Sequence, residues 1–237
     1  MHQPGAFNPD AAVRLHRVGA ENHPVLVIDN ALLAPQRLVD CAAAARFSPV
    51  REAGNYYPGL RAPAPKEYAL GLTDYLRPII EREMGAPTHT LASARCALSI
   101  ATLPPERLTI AQRVPHFDTS DAMQIAAVHY LCAPRHGGLA FYRHRKTGFE
   151  AISPERSKAY FEALRNELAE DGEPPLAYVR ESPLFEKTME IDAAFDRLVV
   201  YRSNLLHSGA VNAETLSPDP RAGRLTATLF ARFRSDC

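Results

Sequence analysis

Hydrophobic positions along this chain follow two rhythms. Pro24 to Asp29 (Pro-Val-Leu-Val-Ile-Asp) is a short unbroken apolar run, which predicts a buried strand. The spacing then lengthens to the helical repeat. Pro35 suits a first helical turn, and Leu38, Val39, Ala42 and Ala43 follow as one apolar stripe. A second helical repeat carries Tyr68, Leu72, Tyr75, Leu76, Ile79 and Ile80, and Pro78 inside it predicts a kink or two shorter helices. Between the two, Pro49 to Pro65 is rich in Gly, Pro and Tyr and reads as a loop. Residues up to about Val18 read as a loosely held arm.

From about His89 the rhythm shortens to β-type segments separated by turns. Strands are predicted over Ala94–Thr102, Leu108–His116, Gln124–Cys132, Gly138–Arg143, Thr188–Ile191, Arg197–Tyr201 and Leu225–Phe233. So many short strands point to a sandwich, barrel or jelly roll. One helix interrupts them: Ser153-Pro154-Glu155 is a good helix start, and Tyr160, Phe161, Leu164 and Leu168 recur on one face. An acidic, Pro-containing loop from Glu170 to Pro175 ends it. In the last strand Leu225, Ala227, Leu229 and Ala231 alternate with Arg224, Thr226, Thr228 and Phe230. The apolar set is expected against the helices and the Arg/Thr set toward the interior. A buried Arg calls for a partner anion, so that inner face asks for a carboxylate.

Composition changes this picture little. The apolar share of 46% and charged share of 23% are those of an ordinary globular chain. Lys+Arg 27 against Asp+Glu 27 leaves no electrostatic footprint for nucleic acid or an anionic membrane. No apolar run reaches membrane-spanning length, and Met1-His2-Gln3-Pro4-Gly5 lacks a signal-peptide pattern. Cys41, Cys96, Cys132 and Cys237 form no Cys-x-x-Cys pair and read as reduced thiols, with a cytoplasmic location expected.

The candidate chemistry lies in Val114-Pro115-His116-Phe117-Asp118, taken together with Asn204-Leu205-Leu206-His207. On a strand, His116 and Asp118 share a face, and a distant strand would deliver His207. Two imidazoles and one carboxylate make the ligand set of a non-heme Fe(II) oxygenase, with positions left open on the metal.

These residues resemble the Fe(II)/2-oxoglutarate-dependent dioxygenase superfamily, most closely its prolyl-hydroxylase-like branch. The His-x-Asp and distal His of that family match His116, Asp118 and His207. Its cosubstrate-binding Arg matches Arg224, in a strand that reads Gly223-Arg224-Leu225-Thr226. The His207–Arg224 gap is longer than is usual there, and Arg221 stands as the alternative. Thr226 resembles the hydroxyl of an Arg-x-Ser pattern, and Tyr130 resembles a tyrosine that donates to 2-oxoglutarate. Cys132 replaces the usual Asn of that segment.

The resemblance implies a mainly β fold with flanking helices and a double-stranded β-helix (jelly-roll, cupin-like) core. The expected organisation is one domain, 1–237. Within it, 19–88 would be an N-terminal strand and support helices, and 89–237 a jelly-roll core with a helical insertion near 153–170. It also implies Fe(II), 2-oxoglutarate and O2 as cofactors, release of succinate and CO2, and hydroxylation of an unactivated C–H. The substrate would be an amino acid, a peptide or protein side chain, or a small metabolite. Because halogenases of the superfamily place a small residue where Asp118 stands, its presence favours hydroxylation or desaturation.

Other readings stand beside this one. A cupin-like binding module would keep the fold without oxidation chemistry, and a Zn-dependent hydrolase would use the same ligands. Arg143-His144-Arg145-Lys146 reads as a solvated turn before it reads as an anion site. His129 and His136 show no ligand spacing. Ser203 and Ser208 lack the Gly-x-Ser-x-Gly elbow of a serine hydrolase.

Overall fold

The computed structural model describes residues 5–49, 57–86 and 90–234. In chain order it opens with β1 (Ala12–Val18), β2 (His23–Asp29), helix α1 (Gln36–Ala44), β3 (Ser48–Pro49), β4 (Gly59–Pro63) and helix α2 (Lys66–Met84). Then follow β5 (Thr90–Ala101), β6 (Gln124–Tyr130), β7 (Leu139–His144), helix α3 (Pro154–Asp171), β8 (Phe185–Ile191), β9 (Arg197–Arg202), β10 (His207–Gly209) and β11 (Leu225–Arg234). An eight-stranded sheet runs β1-β2-β9-β6-β11-β5-β4-β3, and a smaller one runs β10-β7-β8. Every pairing is antiparallel. The result is the jelly-roll architecture, with helices on the outer face of the larger sheet.

Three layers follow from strand alternation. Leu225, Ala227, Leu229 and Ala231 of β11 lie in the outer core with Leu38, Tyr68, Leu72, Leu76 and Ile80 of α1 and α2. The opposite face of the same sheet, with Val128, Tyr130, Val199 and Tyr201, packs against Leu139, Phe141 and Ile191 of the smaller sheet. Arg224 and Thr226 are buried on that inner side, as the alternation requires.

Four elements differ from the sequence-based expectation. The supposed arm is β1, paired residue by residue with β2 from Ala12 to Val18. It is an edge strand in which only Val18 is fully buried, so backbone pairing holds it without an apolar stripe. The supposed loop 49–65 contains β4; residues 50–56 of it lie outside the described residues. Helix α2 is continuous through Pro78. Pro78 and Asp74, whose carbonyl loses its partner, both face solvent, where water satisfies the freed group.

The fourth difference bears on the site. Leu108–His116 is no strand: one 3-10 turn, Pro105–Arg107, runs up to it and a second, Ile110–Gln112, lies within it. The Gln112 side chain caps Thr109 by accepting its N–H at 2.9 Å, closing a turn where apolar alternation suggested extension. Extended pairing resumes only at His116.

Candidate metal centre

Backbone pairing brings the His-x-Asp segment to β10. His116 N–H donates to the His207 carbonyl at 2.9 Å, and His207 N–H returns the bond at 2.8 Å. Asp118 N–H donates to the Ser203 carbonyl at 2.8 Å. Phe117 points the other way, against Tyr160 and Phe161 of α3. The aromatic between the two candidate ligands therefore anchors the segment, and alternation turns His116 and Asp118 together toward His207.

The donor atoms of His116, Asp118 and His207 all lie within 4.8 Å of one another. Nε2 of His116 is 3.9 Å from one Asp118 oxygen, and Nε2 of His207 is 3.8 Å from the other. These separations exceed a hydrogen bond, so the three groups face a common point without satisfying each other. His207 Nδ1–H donates to the Leu205 carbonyl at 2.8 Å. A carbonyl only accepts, so the proton sits on Nδ1 and the Nε2 lone pair is presented to the centre.

Electrostatics suit metal ligation. Burial lowers His116 to about 4, helped by the neighbouring His207, and burial likewise lowers His207 to about 4. Both rings are neutral donors at neutral pH. Burial raises Asp118 to about 6, against the opposing pull of His116 and Arg61. His116 nevertheless keeps 49% of its side chain exposed, against 5% for His207. The cluster is enclosed by protein on most sides and open on one.

A second group of candidates lines the adjoining inner face. Arg224 is 5% exposed, its guanidinium 5.3 Å from the centre of the Tyr130 ring. Its Nε and one terminal nitrogen donate to the carbonyls of Gly137 and Gly138 at 3.1 and 2.8 Å. Among the described residues no carboxylate pairs with it. Tyr130 is fully buried, and its hydroxyl makes no well-formed hydrogen bond. Burial pushes that phenol up to about 12, against the pull of Arg224, so it stays a neutral donor. The Thr226 hydroxyl reaches the Ser99 carbonyl at 3.5 Å and lies near the Tyr57 phenol. Arg221 is exposed and holds Asp40 at 2.8 Å, away from this face.

Two residues here escaped sequence reasoning. Tyr201 of β9 stacks edge-on against His207, with ring centres 4.8 Å apart, and its phenol feels Asp118, Tyr130 and Arg224. Its alternation with Val199 was the available signal. Arg61 of β4 had none, because it lay in the stretch read as loop.

The remaining candidates divide differently. Arg143 pairs with Glu186 across β7 and β8, so part of the basic turn is neutralised. His144 is buried and bonds Glu167 of α3 at 2.8 Å, which fixes the helix to the sheet. Arg113, three residues before His116, holds Glu173 of the acidic loop at 2.6 Å. A cavity of about 210 Å³ is lined by Cys132, His136, Arg135 and Arg221 but by none of the six candidate site residues.

The chain belongs to the family of unknown function DUF6445, whose model matches residues 9–231. No curated protein sequence matches it. Among solved structures it is similar to the non-heme alpha ketoglutarate dependent carbocyclase SnoK from nogalamycin biosynthesis. The identity is 12% and the TM-score 0.51, over 89% of this chain and 80% of that one. It is also similar to AviO1 from Streptomyces viridochromogenes Tue57, with 14% identity and TM-score 0.48 over 99% and 93% of the two chains. A third is HygX from Streptomyces hygroscopicus, whose structure has nickel and 2-oxoglutarate bound, with 13% identity and TM-score 0.46 over 88% and 82%. At this identity the likeness to SnoK establishes a common fold. No helix among the described residues is long and apolar enough to cross a membrane.

Proposed function

We propose that the protein is an Fe(II)- and 2-oxoglutarate-dependent oxygenase that hydroxylates an unactivated C–H bond, releasing succinate and CO2. The observation that carries this reading is one juxtaposition. Two neutral imidazoles and a carboxylate converge at the open end of the inner face, beside a buried arginine with no carboxylate partner among the described residues.

The donor set fits the metal. His116 and His207 would each give an Nε2 lone pair and Asp118 one oxygen, leaving three positions for a chelating 2-oxo acid and O2. Bound Fe(II) would activate O2, and decarboxylation of 2-oxoglutarate would supply two electrons. Arg224 would take the far carboxylate of 2-oxoglutarate in charge-assisted hydrogen bonds, with Gly137 and Gly138 holding the guanidinium in place. Tyr130 would donate its hydroxyl to the same carboxylate. Thr226 would act through Tyr57 or on the cosubstrate directly. Arg224 is preferred to Arg221 because Arg221 is exposed and already paired with Asp40. Tyr201 would pack against the His207 ring and set its angle. Asp118 completes the carboxylate ligand that a halogenase site lacks, so hydroxylation is the expected outcome. The substrate would be a small molecule or the side chain of a peptide or protein.

Anaerobic titration of the purified protein with Fe(II) and then 2-oxoglutarate tests the reading. The expected result is a visible absorption band that needs both, followed by slow succinate formation when O2 is admitted. Absence of both signals rejects it. Tight Zn retention with hydrolytic turnover in their place supports the hydrolase alternative.

A further inference from the structure

Three neighbouring strands of the larger sheet meet at one rim, where β6 ends and β9 and β11 begin. Antiparallel register fixes this: Tyr130 at the end of β6 lies opposite Arg197 of β9 and Thr226 of β11. The segments leaving these strand ends, together with the start of helix α1, enclose the cavity of about 210 Å³. That is room for about seven waters, more than a bare ion fills.

Its floor is buried and neutral. Leu131 and Cys132 follow β6, and His136 lies on the Pro134–His136 turn at 2% exposure. His136 Nδ1 is buried and meets no hydrogen-bond partner among the described residues. A buried ring nitrogen in that state calls for a polar occupant. Burial, with Arg135 beside it, holds His136 below its ordinary value, and burial raises the Cys132 thiol to about 11. Neither is charged at neutral pH.

The rim is positive. Arg135 and Arg221 both line the cavity, and both are exposed. Arg221 holds Asp40 of α1 at 2.8 Å, an exposed pair of the kind that contributes little and yields to a competing anion. Among the described residues no carboxylate pairs with Arg135, and none lines the cavity. Gln36 brings the first turn of α1 to the same rim, and that turn has no side-chain cap and no acidic residue. The positive end of the helix favours an anion as well.

An aromatic ring completes the rim. Phe195 lines the cavity and is 45% exposed. The next residue, Asp196, has a φ of 62°, which is costly for a residue other than glycine. His129 and the Leu32 N–H hold its carboxylate, and its own N–H donates to the Tyr130 carbonyl at 2.9 Å. The core thus fixes a strained turn that displays Phe195 at the cavity.

We propose that this cavity is a second ligand site, which takes a small organic oxyanion. The carboxylate or phosphate head lies between Arg135 and Arg221, and a flat apolar body lies against Phe195. No residue of the candidate metal centre lines it, so the site stands apart from the oxygenase reading.

Ligand-observed NMR on the metal-free protein tests the site with phenyl phosphate, benzoate, benzamide and inorganic phosphate. Phenyl phosphate or benzoate is expected to bind about tenfold or more tightly than uncharged benzamide, which cannot accept charge-assisted bonds as strongly. The tighter of the two identifies the head. Arg135→Gln should weaken that probe about tenfold, and Arg135→Lys should keep most of the binding. Phe195→Ala should weaken it about fivefold. Both side chains are exposed, so each variant should keep the wild-type melting temperature, which shows that it is folded. A wild type that binds neither charged ring probe more tightly than benzamide, or binds none of the probes, overturns the proposal. Inorganic phosphate that binds as tightly as phenyl phosphate also overturns it, since the ring would then contribute nothing. So does binding that follows Arg224→Lys and ignores Arg135→Gln, because the ligand would then lie on the cosubstrate face.

Discussion

Two His-Asp clusters in this molecule use the same residue types to opposite ends. In the outer core, Tyr68 OH donates to His129 Nδ1 at 2.8 Å, and His129 Nε2–H donates to Asp196 at 2.9 Å. Both Asp196 oxygens also accept from Leu32 N–H at 3.1 Å, and the side chains of His129 and Asp196 are almost wholly buried. Every polar atom there is used by another, which is what a buried polar group needs to avoid costing stability. In the inner cluster the Asp118 oxygens stand 3.8 and 3.9 Å from the imidazoles, and the groups leave one another unsatisfied. About 1 Å of separation divides a network that serves the fold from one shaped to hold something else. The chain marks His116 by its spacing from Asp118 but gives no sign of the His129 pair, whose Asp196 lies 67 residues further on.

Exchanging the roles should fail in both directions, and the effects rank by size. Asp118→Ala should weaken metal binding by about a thousandfold, roughly 4 kcal/mol. Calorimetry with nickel would show it, while the metal-free melting temperature stays level or rises, because a carboxyl raised to about 6 is gone. Asp196→Ala should do the reverse. It strands His129 and the Leu32 N–H in the core, costing about 3 kcal/mol of stability by urea denaturation with metal affinity unchanged. A metal affinity that follows Asp196 and ignores Asp118 would break the contrast.

Arg224→Lys should weaken 2-oxoglutarate binding by about 30-fold, close to 2 kcal/mol, because a point charge replaces a two-pronged donor. Metal binding without 2-oxoglutarate should not change.

Acidity gives a smaller, graded effect. With Asp118 raised to about 6, metal must displace a proton from it below that pH. Affinity should therefore be flat above about pH 6 and fall about tenfold per unit below it. The fall should steepen near 4, where His116 and His207 take up protons. A nickel titration from pH 4.5 to 8 reads the profile, and a profile flat to pH 5 would contradict the raised Asp118 carboxyl. The smallest expected effect is that of Tyr201→Phe. It keeps the ring contact with His207 and removes only the hydroxyl, so metal affinity should change by about 1 kcal/mol or less.

Much of this architecture was legible in local pattern. The apolar runs of β2 and β6, the stripe of α1 and the Ser153 cap of α3 are properties of neighbouring residues, and the structure places elements at all four. The alternation in β11 also separated its helix-facing side from its inner side. Failures came where long-range pairing did the holding. β1 is an edge strand stabilised by β2, β4 is a short strand stabilised by β5, and α2 continues through Pro78 because its opposite side is buried.

For the site, the sequence by itself determined the donor types and, through alternation, that His116 and Asp118 turn the same way with Phe117 opposed. It also placed Arg224 and Thr226 on one side of a strand. Tertiary structure alone decided that His207 comes within ligand distance, that His129 and Asp196 are consumed by the core, and that Arg135 and Arg221 line one cavity. The reason is physical. Side-chain direction is set by a residue's own strand, whereas the distance between donors is set by sheet register, which depends on partners far away in the chain.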